Sequence, residues 1–346
     1  MPYPDQDIFL QTFDGTVQTV LDVLKRGPIN KILQERNPYR QLGYIVDYLN
    51  HPQIGARSFL CESHYVDRDY MEDHGVFYSR SLHERANYCK RLHFFDLPQE
   101  QLSEQILLAA KPALAEAETA QTVLGKAYLG FVVVKPILGA PIGKTVLKFL
   151  PQEKGDGDIR NFGCVRDYNA HLLGFSLTVS GLAFQQQDEG VSACATTAVW
   201  SALQKVRDFE DIRVVSPAEI TSLATRHILP FGRAMPSEGL SIDQMCQAIQ
   251  ALGLAPSLYR VEAPDDMFAY LHAAQRSNFP SILVLDNHPT KVTERHAVAV
   301  VGVKIHPGLI LAVDGLKDLA SGISALYVHD DRIDALPIWG AARAGW

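Results

Sequence analysis

One stretch constrains the fold more than any other: FQQQDEGVSACATTAVWSALQKV, residues 184–206. A polar, glutamine-rich approach ends at Cys194, and a helical pattern begins there at once. Ala195, Ala198, Val199, Ala202, Leu203 and Val206 recur at helical spacing and form one apolar stripe. Most of these residues are small, so other elements can approach the helix closely. The pattern predicts a buried helix with a cysteine in its first turn. That position lies near the positive end of the helix dipole, which favours a thiolate. A free cysteine is more often a small core residue than a reactive group. The approach tips the reading toward chemistry. Gln185, Gln186, Gln187, Asp188 and Glu189 are too polar for a core segment, and their amides stand just upstream of the thiol, where an oxyanion donor is needed.

A partner for the thiol lies about a hundred residues later. Residues 295–302, RHAVAVVG, read as a buried strand headed by His296. The next strand, 309–315, carries Asp314 near its end, and His306-Pro307-Gly308 reads as a hairpin turn between the two. Antiparallel pairing of these strands would bring His296 and Asp314 together. The result is a nucleophile, a base and an orienting acid in the order Cys, His, Asp. Asn287 is the fallback for the orienting role.

Glutamine, cysteine at a helix start, His-x-Val-x-Val-x-Gly and a strand ending in Asp together resemble the papain-like cysteine peptidase superfamily. The spacing is most similar to that of the bacterial peptidases that cleave double-glycine leader peptides. The resemblance covers about residues 180–330. It implies Cys194 as nucleophile, His296 as general base, Asp314 as orienting residue and Gln187 as oxyanion-hole amide. Papain-type enzymes carry that glutamine six residues before the cysteine, where this chain has Asp188; Gln187 stands at seven and Gln186 at eight. The implied activity is hydrolysis of a peptide or isopeptide bond in a protein or peptide substrate, through a thioester acyl-enzyme, with neither cofactor nor metal. Two other readings use the same residues: an acyltransferase of transglutaminase type, and an inactive peptide-binding module.

The expected fold class is α+β. A papain-like domain occupies residues 159–346 and follows a mixed α/β N-terminal domain at 1–158, with the polar segment PQEKGDGD (151–158) as linker. The N-terminal domain reads as helices at 16–25, 40–49, 82–91 and 101–117 with strands at 58–66 and 126–137. It matches no motif and is a candidate surface for a protein partner. Beyond it, residues 171–182 read as a strand. Ser216-Pro217-Ala218-Glu219 and Ser241-Ile242-Asp243-Gln244 read as helix starts, the second running to Gly253. A helix at 265–276 and strands at 257–261, 281–285 and 325–328 complete the expectation.

Two imitations of binding motifs carry little weight. Cys61, His64, Cys89 and His93 have zinc-like spacing, but residues 61 and 64 of one strand point to opposite faces. Gly139 to Thr145 imitates a phosphate-binding loop with one residue too few between its glycines. His227, His272 and His329 read as surface residues, and Asp330-Asp331 as a solvated turn.

A net charge of −7 over 346 residues argues against nucleic acid or an anionic membrane as main partner. The five scattered cysteines do not form a disulfide framework and fit a reducing, cytoplasmic setting. The N-terminus shows no secretion signal. The most apolar run, 127–150, is broken by Lys135, Pro136, Pro141 and Lys144, so no membrane span is expected.

Overall fold

The computed structural model describes residues 8–25, 39–81, 85–113, 115–137, 139–152, 157–188, 193–226, 239–286, 295–313, 315–331 and 334–340. The chain is α+β with antiparallel sheets, and it divides into two compact units. Met1–Leu150 and Asp167–Gln186 form the first; Pro151–Arg166 and Gln187–Trp346 form the second. A single division at 158/159 was expected; instead the chain passes between units three times.

The first unit opens with β1 (Ile8–Thr12), α1 (Val17–Leu24), α2 (Tyr39–Asn50), β2 (Ser58–Tyr65), α3 (Arg68–Val76) and β3 (Cys89–Phe95). There follow α4 (Gln99–Ala109), α5 (Ala117–Ala127), β4 (Tyr128–Val134) and β5 (Ile142–Leu147). The strands form one antiparallel sheet in sequence order. Two helix expectations are corrected. The helix expected across 101–117 stops at Ala109, ahead of Pro112, which cannot continue it, and α5 begins only at Ala117. Residues 89–91, expected in a helix, belong to β3, whose seven residues are all buried as a central strand requires.

After β6 (Ile159–Asn161), which belongs to the second unit, the chain returns as a hairpin of β7 (Arg166–Leu172) and β8 (Phe175–Gly181). The expected single strand at 171–182 is therefore the end of the first arm, a turn and the second arm. Leu173 and Gly174 turn the chain with φ of 48° and 90°. In β8, alternate residues are buried, and this face packs on β4 and β5. That packing explains why 167–186 belongs with the first unit.

The zinc-like constellation does not assemble. Cys61 pairs across from Leu92, whereas His93 spends both ring nitrogens on protein partners, Tyr128 Oη at 2.8 Å and Glu62 Oε2 at 2.9 Å. Burial pushes the His93 imidazole below its ordinary pKa, against the opposing pull of Glu62.

The second unit continues with α6 (Cys194–Val206), α7 (Pro217–Ala224), α8 (Ile242–Ala251), α9 (Pro264–Arg276), β9 (Ser281–Asp286) and β10 (Arg295–Ile305). Then come β11 (Leu311–Val313), β12 (Leu316–Asp318), β13 (Ile323–Asp330) and β14 (Asp334–Gly340). Local chemistry starts the helices where it should. Ser216 accepts from Glu219 N with Pro217 in the first turn. Ser241 and Gln244 form a reciprocal capping box, and Gly253 lies past the end of α8 at φ 83°. No strand forms at 257–261. Leu258, Tyr259 and Val261 are exposed, and Tyr259 stacks on Tyr270 of α9 at 4.4 Å instead of joining a ladder.

β10 is the axis of this unit. Along one edge it pairs with β13; along the other, first with β9 and then with β6. Val298, Val300, Val303 and Ile305 of β10 form a core with Phe268 and Leu271 of α9 and with Ile323, Leu326 and Val328 of β13. α6 also packs on β10. Gly302 permits the approach of β6, because a Cβ there would lie 2.6 Å from the Asn161 carbonyl oxygen and 2.7 Å from the Phe162 ring. Gly302→Ala is expected to cost about 1–3 kcal/mol in urea unfolding. An unchanged midpoint would mean that β6 yields without penalty.

Candidate active site

Every residue of α6 from Cys194 to Gln204 is buried, so the helix is enclosed on all sides rather than along one stripe. Its small side chains make that possible. Cys194 is the first helical residue. The N-cap, Ala193, offers no side-chain cap, so no cap side chain competes for the first-turn N–H groups. His296 is the second residue of β10, and β13 pairs with β10 so that Ala299 faces His329. This register brings the end of β13 beside the start of β10.

The two expected principals come together: the Cys194 side chain acts on the His296 imidazole at close range and favours its charged form. Nε2 of His296 bonds Asp330 Oδ1 at 2.8 Å, and Asp331 Oδ1 stands 3.8 Å from the same nitrogen. Asp330 thus occupies Nε2 and leaves Nδ1 for the thiol. Nδ1 is buried and has no hydrogen bond of regular geometry. All four residues are buried, at 8% exposure for Cys194, 5% for His296, 3% for Asp330 and 2% for Asp331.

Burial opposes a charge on His296. The hydrogen bonds to Asp330 and Cys194 and the charges of Asp330 and Asp331 outweigh it, and the imidazole is pushed up to about 9. At neutral pH the ring is therefore cationic, with a proton on each nitrogen. Burial pushes Cys89 well above its ordinary value, Cys164 to about 11, and Cys246 upward.

Asp314 lies outside the described residues, as does the fallback Asn287. The strand pairing that was to deliver Asp314 does not occur. β11 pairs with β12, because both edges of β10 are already taken. The acids at His296 are Asp330 and Asp331, which the sequence reading left in a solvated turn. The signal was present: the apolar run Ala325–Val328 leads directly into His329, Asp330 and Asp331, and two acids closing a buried strand are costly without partners. His329 is likewise not a surface residue. It is buried, and its Nδ1 lies 3.0 Å from Ser201 Oγ of α6.

The glutamines separate. Gln186 is committed within the first unit. Its side-chain oxygen accepts from Ile142 N at 3.3 Å, and its amide donates to the Gly139 carbonyl at 3.2 Å. Gln187 opens the long segment of the second unit and is half-buried; residues 189–192 between it and Cys194 lie outside the described set. Among the described residues, His296, Asp330 and Asp331 are also the one group of side chains placed to hold a metal ion.

Compared with protein-family models, curated proteins and solved structures, the chain matches none. Among the described residues, no helix is long and apolar enough to cross a membrane.

Proposed function

We propose that the second unit is a thiol hydrolase acting on peptide or isopeptide bonds, with Cys194 as nucleophile, His296 as general acid and base, and Asp330 as the residue that orients the imidazole. One observation carries this reading. A thiol in the first turn of a buried helix contacts an imidazole whose far nitrogen is held by a buried carboxylate. The resemblance of the Cys and His motifs to papain-like peptidases supports it.

In the proposed reaction the thiolate sulfur attacks the carbonyl carbon of the scissile bond. The oxyanion takes hydrogen bonds from the Cys194 backbone N–H and from the Gln187 amide, since Gln186 is engaged elsewhere. The imidazolium protonates the departing amine. Water then attacks the thioester and gives its proton to the imidazole, which regenerates the thiol pair. Asp330 holds Nε2 throughout, so Nδ1 stays aimed at the sulfur.

The test is the pH dependence of iodoacetamide labelling at each cysteine, read by mass spectrometry in metal-free protein. Cys194 should label at least tenfold faster than Cys89 or Cys164 at pH 6–7, well below an ordinary thiol near 8.5, and His296→Ala should erase the difference. Equal labelling of all three in both proteins would sink the reading.

A further inference from the structure

We propose that His296, Asp330 and Asp331 also form a site for a zinc-like divalent cation, and that its occupancy switches Cys194 off. The regulatory half of this inference rests on the thiol reading; the binding half does not.

Three donor atoms converge. Asp330 Oδ1 and Asp331 Oδ1 lie 2.8 and 3.8 Å from His296 Nε2, and all the donor atoms fall within 4.8 Å of one another. Ligands around a tetrahedral zinc at about 2.0–2.1 Å sit roughly 3.3 Å apart, so each carboxylate needs to shift by about half an ångström relative to Nε2, with water as fourth ligand. The cluster is not merely acidic. His296 is 5% exposed and points one nitrogen into the acid pair, while its other nitrogen has no regular hydrogen bond. The ring therefore trades one hydrogen bond for a coordinate bond. Charge also balances, since two carboxylates and a neutral imidazole bring −2 to a divalent ion.

The two carboxylates reach one ring because β13 ends at Asp330. Successive strand residues point to opposite faces, and Asp331 lies just past the strand, where the pleat no longer dictates its direction.

Coordination changes what the ring can do for the thiol. A metal on Nε2 leaves the single imidazole proton on Nδ1. A neutral ring with its proton there can donate toward sulfur but cannot accept the thiol proton. The base is withdrawn while Cys194 stays outside the ligand set.

The test uses the full chain stripped with EDTA and then freed of chelator. Calorimetric titration with Zn2+ should show one site per chain. Cys194→Ala should keep it, and Asp331→Asn should weaken it at least tenfold. Co2+ bound to wild type should lack the intense thiolate charge-transfer absorption, a readout that needs no variant. Stoichiometric Zn2+ should slow labelling of Cys194 at least tenfold, and EDTA should restore it. Absence of a stoichiometric site, loss of binding in Cys194→Ala, or a cobalt–thiolate band would overturn the site. Binding that leaves a reactive Cys194 unaffected would overturn the switch. A Cys194 equally inert with and without Zn2+ would refute the thiol reading and the switch, with the site itself still decided by the titration.

Discussion

Replacing Cys194 with alanine is expected to abolish hydrolysis, with a loss of at least about 10^3-fold, while the second unit stays folded. The two halves have separate physical grounds. Burial holds Cys89, Cys164 and Cys246 toward the neutral thiol, which makes them poor substitutes. The fold should persist because the change removes one sulfur from a helix already rich in alanine, and alanine is the best helix former. The cost should stay within about 2 kcal/mol, in the range of ordinary single substitutions. Thermal melts of both proteins, together with mass-spectrometric product analysis of a peptide library, read the two halves. Turnover at the wild-type rate in the folded variant would remove Cys194 from the mechanism.

The second large effect separates Asp330 from Asp314. Asp330→Asn should lower turnover by about 10^2–10^4-fold, whereas Asp314→Asn should leave it within about twofold. An amide at 330 can donate to Nε2 and thereby stabilise the wrong tautomer. The same substitution should change the pH dependence of stability in metal-free protein. A folded-state pKa near 9, against about 6.5 unfolded, stabilises the fold fully below pH 6.5 and ceases to do so as pH rises through 9. Screening reduces the contribution to about 1–2 kcal/mol. Urea unfolding at pH 6 and at pH 9.5 should show this loss in wild type and a smaller one in Asp330→Asn. Equal slopes in the two proteins, or a turnover loss in Asp314→Asn alone, would return the orienting role to Asp314.

Which features were legible in the sequence follows from how far each reaches along the chain. The starts of α7 and α8 were readable because a cap and its partner stand three residues apart. The start of α6 was readable from its apolar period, which is equally local and begins at Cys194 without a side-chain cap. Strand pairing is not local. Residues 309–313 looked like the natural partner of β10 because they follow it, yet two earlier strands and one later strand had already filled its edges. That expectation put Asp314 beside His296 and left Asp330 in a solvated turn; among the described residues it is Asp330 that bonds the ring. Residues 257–261 have strand-like composition, but a strand exists only where an edge is offered to it. Residues 101–117 kept their helical period across Pro112, and there the single residue, not the period, ended the helix.

The crowding of β10 has a consequence for how the site can fail. His296 stands on a strand whose main-chain groups bond to β13, β9 and β6, and the thiol stands on a helix buried through most of its length. The bodies of both elements resist fraying, because β10 is paired along both edges from Ala299 onward and α6 is enclosed, while His296 and Cys194 stand at their ends. The slowest amide protons of the second unit should therefore belong to β10, exchanging only when the unit opens as a whole. Loss of the β10 core by heat or denaturant is then a single cooperative event, and it takes the support of the dyad with it.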